Sequence, residues 1–108
     1  MSARVNAKQV SLFATFILLT LTLTLNHAYA TTIAVGSHPT EVAFDSYLDE
    51  IFVSNFRSNT VSVISDATNR VIANISVGSY PHGVAFDSNM REVFVANNVS
   101  GTISVLSG

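Results

Sequence analysis

The sequence predicts an all-β fold built from repeated antiparallel sheets, and three observations carry that prediction. Val35–Asp66 recurs without a gap as Val77–Gly108, at a spacing of 42 residues and with 18 of 32 positions identical. Substitutions between the copies keep apolar character, as in Ile51 to Val93, Leu48 to Met90 and Ile64 to Leu106, so a packing pattern repeats along with the letters. Short runs rich in Val, Ile, Phe and Thr alternate with turn residues every few positions, and no 11-residue window carries a helical apolar stripe. Units of this length bury their apolar faces against neighbouring units rather than alone.

The chain opens on a segment that reads as a secretory signal peptide, residues 1–30. Arg4 and Lys8 make a basic start, Ser11 to Leu25 is uncharged and mostly apolar, and Ala28-Tyr29-Ala30 has the small-x-small form of a cleavage site. The alternative is a retained anchor. Val10–Leu25 is uncharged over 16 residues, short of the roughly 20 needed to span a bilayer, and is interrupted by Ser and Thr. Cleavage leaves residues 31–108 with no stable membrane span and predicts a secreted, cell-surface or periplasmic product.

Thr32–Val35 is short and β-branched, and Gly36–Pro39 closes it with turn residues; Asn74–Val77 and Gly78–Pro81 repeat the arrangement. The expected elements are therefore a leading strand over 32–35 and then strands near 41–45, 50–55, 60–65 and 71–77. The second copy supplies three more. Val42–Asp45 and Val84–Asp87 are nearly continuous in apolar residues and read as strands buried on both faces. Glu50–Ser54 and Glu92–Ala96 set Ile51/Val53 and Val93/Val95 on one side and Phe52 or Phe94 on the other. Asn55 and Asn97 read as turn residues that end these strands. Thr60–Ser65 and Thr102–Ser107 alternate with a period of two, and Asp66–Asn69 is a turn.

Four short antiparallel strands in about 40 residues describe a propeller blade. The expected architecture is thus four-stranded antiparallel propeller blades, about two present of a larger β-propeller, with units at about 35–76 and 77–108. A parallel β-helix is the structural rival, but its coils need fewer residues and lack the hairpin rhythm. Because propeller rings close with about 4–8 blades, missing blades or self-association are needed to close one here. The leading strand suggests a propeller's beginning, so a longer version is expected to end after the third strand of its last blade.

Composition narrows the function. Residues 31–108 keep three arginines and no lysine against seven carboxylates, a net charge of −4, and phosphate-backbone binding relies on clustered cations; nucleic acid is therefore not an expected partner. There is no cysteine, so an exported chain must be held by packing and strand pairing. A piece of 78 residues buries proportionately little surface.

The repeat resembles the YVTN-type β-propeller repeat of surface-layer and exported seven-bladed proteins. The naming tetrad appears as Phe52-Val53-Ser54-Asn55 and Phe94-Val95-Ala96-Asn97, and Val77–Ala85 carries the Val-Gly-x-x-Pro-x-Gly-Val-Ala loop complete, with Glu41 replacing its glycine in the first copy. Val61–Asn69 resembles the family's Val-Ser-Val-Ile-Asp-Thr-Ala-Thr-Asn, with Ser65 and Asp66 at the Asp-Thr pair. The likeness covers Ile33–Gly108. It implies a recognition or cell-envelope role, with a protein or envelope glycan as partner through the blade loops, and no shared catalytic motif.

The candidate site residues are few. His38 and His82 flank Pro39 and Pro81 in equivalent loops at non-equivalent positions, and no carboxylate stands at ligand spacing; surface histidines are expected. Asp45 and Asp87 recur before Ser, where an Asx turn outweighs a ring of cation ligands. Asn74-Ile75-Ser76 and Asn98-Val99-Ser100 are glycosylation triplets, with Asn98 favoured because it lies in a loop. No nucleophile comes with a base and an orienter, so no enzyme, cofactor or metal is expected. The competing expectations are a lactonase-like propeller enzyme with channel metal carboxylates, and a truncated product without independent function.

Overall fold

The computed structural model of the chain describes residues 28–107, so the expected basic start and apolar run of the leader lie outside the described residues. Ala28–Ala30 is exposed and carries no regular structure. The unit Thr32–Gly108 holds seven strands. Strands β1 (Pro39–Asp45), β2 (Glu50–Asn55), β3 (Thr60–Ser65) and β4 (Arg70–Ser76) form one antiparallel sheet in sequential order. Strands β5 (Pro81–Asp87), β6 (Glu92–Asn97) and β7 (Thr102–Ser107) form a second, three-stranded one. They are called the first and second sheets below.

The hairpin rhythm follows from the turns. Five of them span four residues, and the last residue of each has a left-handed backbone: Asp49, Asn59, Asn69, Arg91 and Gly101, with φ between 54° and 64°. Four of the five are Asp, Asn or Gly, which tolerate this region at least cost. Asp45 and Asp87 start their turns as expected of Asx residues. Asp45 Oδ1 accepts the backbone N–H of Tyr47 at 2.8 Å and of Leu48 at 3.1 Å, and Asp87 Oδ1 accepts that of Asn89 at 2.9 Å.

The two sheets pack face to face. Register sets Phe52 beside Val63 and Ser54 beside Val61 on one face of the first sheet, and Val84 beside Val95 and Phe86 beside Val93 on one face of the second. Phe52, Val61 and Val63 meet Val93 and Val95 there, and Ile75, Val77, Val84, Phe86 and Leu106 pack around them. Removing a Val or Phe side chain from water contributes about 1.5–3 kcal/mol, so this layer is the main stabilising term within the unit.

Two expectations are corrected. Neither Val42–Asp45 nor Val84–Asp87 is buried on both faces: Val42 and Phe44 are 64% and 49% exposed, because they point away from the second sheet on an edge strand, and Ala85 is exposed on the outer face of β5. Thr32–Val35 is not a strand. A strand is stabilised by a paired neighbour, and among the described residues none pairs with this segment.

Candidate binding surface

Antiparallel order places the connections at two ends of the sheets. One end gathers 36–38, 56–59, 77–80 and 98–101; the other gathers 46–49, 66–69 and 88–91. At the first end each repeat ties its leading loop to its second hairpin. Phe56 N–H donates to His38 O at 2.9 Å and Arg57 N–H to Ser37 O at 3.1 Å; 42 residues on, Asn98 N–H donates to Tyr80 O at 2.9 Å and Val99 N–H to Ser79 O at 3.2 Å. Serine hydroxyls brace both loops, Ser58 Oγ accepting from Ser37 N–H and Ser100 Oγ from Ser79 N–H, each at 2.6 Å.

Under these loops lie Asn55 and Asn97, whose role differs from that expected of a turn residue. Both are buried and neither has a left-handed backbone. Asn97 Oδ1 accepts Gly78 N–H at 3.1 Å, and its Nδ2 donates to Thr102 Oγ1 at 3.2 Å and Ser104 Oγ at 2.9 Å. Asn55 Nδ2 donates to Thr60 Oγ1 and Ser62 Oγ, and Ser62 Oγ donates on to Asn74 Oδ1 at 2.7 Å. A Cβ on Gly36 or Gly78 would stand 2.6 Å from the Cγ of the facing asparagine, which is why both copies carry glycine there.

Where the sheets meet, this end carries a cluster of aromatic side chains. The Phe56 ring stacks on Tyr80 at a centroid distance of 4.7 Å and 19°, and His82 approaches Phe56 edge-on at 6.2 Å. Tyr80 is 40% exposed and His82 is exposed, so the cluster faces solvent. Asn59 Oδ1 accepts Tyr80 N–H at 2.9 Å. Ser54 Oγ donates to His82 O at 2.6 Å, with Thr40 Oγ1 3.2 Å from the same carbonyl. Phe56, Asn59 and Tyr80 were not legible as site residues from motifs. The signal was departure from the repeat: Phe56, Asn59, Ser54 and Thr40 correspond to Asn98, Gly101, Ala96 and His82 in the second copy.

At the other end a cavity of about 190 Å³ opens between the sheets, with Phe52, Val63 and Val93 among its apolar walls and Glu50 and Arg91 among its polar ones. The Arg91 guanidinium lies over the Tyr47 ring, 3.7 Å from its centroid, where the ring quadrupole attracts the cation. Asp45 also lines this space, but its Oδ1 already accepts two turn N–H groups.

His38 and His82 are both exposed at the first end. His38 Nδ1 lies 2.9 Å from the neighbouring Ser37 Oγ, a local contact to which no described carboxylate adds an orienting bond. Among the described residues no three His, Asp or Glu side chains gather as a metal site. Asn98 is exposed in the β6–β7 turn; Asn74 is exposed on β4 with its Oδ1 engaged by Ser62.

No family model matches this sequence, and no curated protein shows significant similarity to it. Among solved structures the chain is similar to hydrazine synthase of Kuenenia stuttgartiensis, with a TM-score of 0.61 and 20% identity over 74% of this chain. The matched part spans 24% of that chain. At this identity the likeness carries the fold alone.

Proposed function

We propose that the chain is a non-catalytic, extracytoplasmic binding or cell-surface structural module of the β-propeller repeat type, and that its two sheets are blades of the YVTN kind. The solvent-facing cluster of Phe56, Tyr80 and His82 carries this reading. Aromatic faces and edges beside Asn and Ser amides and hydroxyls suit a sugar ring or a peptide, because one partner surface offers C–H groups and the other hydrogen-bonding groups. The 42-residue repeat and the face-to-face packing of its two sheets support the blade assignment. The signal-peptide pattern supports export.

Asn98 is the preferred glycan acceptor if the chain meets a glycosylation apparatus, being exposed in a turn; Asn74 is second, since its amide already serves Ser62. Peptide mass mapping of exported material tests both, and occupancy of Asn74 with Asn98 bare contradicts the order.

Binding is tested by sedimenting the exported chain with purified envelope glycan of its host. Retention that falls about tenfold in Phe56→Ala and Tyr80→Ala, with the far-ultraviolet spectrum unchanged, is the expected result. Equal retention of both variants removes the aromatic surface from the proposal.

A further inference from the structure

The contact between the two sheets has a counterpart on each outer face of the unit. Phe52, Ser54, Val61 and Val63 face the second sheet. Forty-two residues later they are Phe94, Ala96, Ile103 and Val105, which share the face of the second sheet turned away from the first: Phe94 pairs with Val105 and Ala96 with Ile103. Val61 and Val63 are 0% and 4% exposed, whereas Ile103 and Val105 are 59% and 50% exposed. This outer face forms a shallow apolar depression lined by Gly83, Ala85, Phe94, Ala96 and Ile103. The converse holds for the first sheet. Val84, Phe86, Val93 and Val95, which press on it from the second, correspond to Val42, Phe44, Ile51 and Val53 on its own outer face, where Val42 and Phe44 stay exposed and Val53 is buried.

We propose that the outer face of the second sheet takes the outer face of the first sheet of a second copy of this chain, head to tail, repeating the contact that joins the two sheets within one copy. The inference rests on reading the repeat as a stacking module. It commits to a copy of this chain because the chain carries both halves of a contact it already makes once. Such a contact is heterologous, so it closes into a ring if the rotation per copy divides a circle and extends otherwise.

The polar part of the internal contact is not repeated. Within a copy, Ser54 donates to His82 O and Asn59 accepts Tyr80 N–H. On the outer face those positions are Ala96 and Gly101, which offer neither group. Contact between copies is therefore apolar and weaker than contact within one. Replacing Ala96 with Ser and Gly101 with Asn supplies a hydroxyl toward the partner copy's Thr40 carbonyl and an amide oxygen toward its His38 N–H. Asn fits at 101, since Gly101 has φ 64° and Asn59 holds φ 55° at the equivalent turn.

The test is sedimentation velocity on the exported chain over a wide concentration series, beside Ile103→Glu/Val105→Glu and Ala96→Ser/Gly101→Asn. The mass should rise with concentration, the glutamate variant should stay monomeric, and the Ser/Asn variant should associate at about tenfold lower concentration, as two hydrogen bonds with a combined net contribution of about 1.4 kcal/mol predict. Nuclear Overhauser contacts from Phe52 to Val95 report the internal contact in every sample. A monomer at all concentrations with those contacts intact overturns the proposal alone, and so does association that the glutamates leave unchanged. Loss of the Phe52–Val95 contacts in the parent chain overturns the stacking reading with it. An outer face covered by further residues of the same polypeptide also overturns it.

Discussion

Gly78 and Asn97 show how one residue's size fixes another's hydrogen bonds. The asparagine amide reaches back to Gly78 N–H and forward to Thr102 and Ser104, so it joins the connection before β5 to the hairpin after β6. Gly78→Ala drives a methyl to 2.6 Å from Asn97 Cγ and is expected to cost about 1–3 kcal/mol, measured by urea denaturation. An unchanged midpoint would contradict the close approach. Asn97→Ala strands Gly78 N–H in a partly buried site and leaves Thr102 and Ser104 without their amide donor, and should cost about 1–3 kcal/mol. Gly101 is different in kind: its φ of 64° makes Gly101→Ala unfavourable by about 1–2 kcal/mol, although nothing lies within 4 Å of an added Cβ. Gly101→Asn should restore most of that, and equal losses for Ala and Asn would refute the backbone explanation. The sequence displays these residues at equivalent positions, but not their task. Asn55 and Asn97 carry the letters of turn formers, and only the fold reveals that they are buried.

Strands and turns were the most legible level, because alternation and turn residues act over a few positions. Strands β2 and β3 span the residues expected of them, and Asp45 and Asp87 form the Asx turns their Asp-Ser context implies. What the pattern does not encode is what lies across each face. Val42–Asp45 and Val84–Asp87 have the same string, yet only in the second do the Val and Phe face another sheet, and Val42 and Phe44 are left exposed. Thr32–Val35 has the composition of a strand and lacks a neighbour to pair with. The polar and aromatic contacts between the sheets, through Thr40, Ser54, Phe56 and Asn59, sit where the copies diverge, so an eye for identity passes over them. Ser54→Ala deprives His82 O of its shorter bond and should destabilise the unit by about 1–2 kcal/mol, whereas Ala96→Ser, on the outer face, should change monomer stability little. Calorimetry on the two variants distinguishes them; equal effects would show that the equivalent faces are not in different surroundings.

At the scale of the whole unit, the repeat produces two sheets that bury one apolar layer between them and present related apolar faces outward. Val95 lies at the centre of that layer, fully buried, and Val95→Ala should cost about 2 kcal/mol from lost burial and the space left behind. The loops meet at one end as the aromatic cluster on which the proposed binding role depends, while the propeller assignment and the export of the chain stand as proposals. All of them presuppose that the second copy of the repeat packs on the first through Phe52, Val61, Val63, Val93 and Val95. The most direct measurement is a methyl- and aromatic-labelled nuclear Overhauser spectrum of the folded chain. Contacts from the Phe52 ring and Val63 methyls to the Val93 and Val95 methyls are the predicted result. A spectrum in which both sheets are intact but Phe52 and Val63 show no contact with Val93 or Val95 would contradict the account.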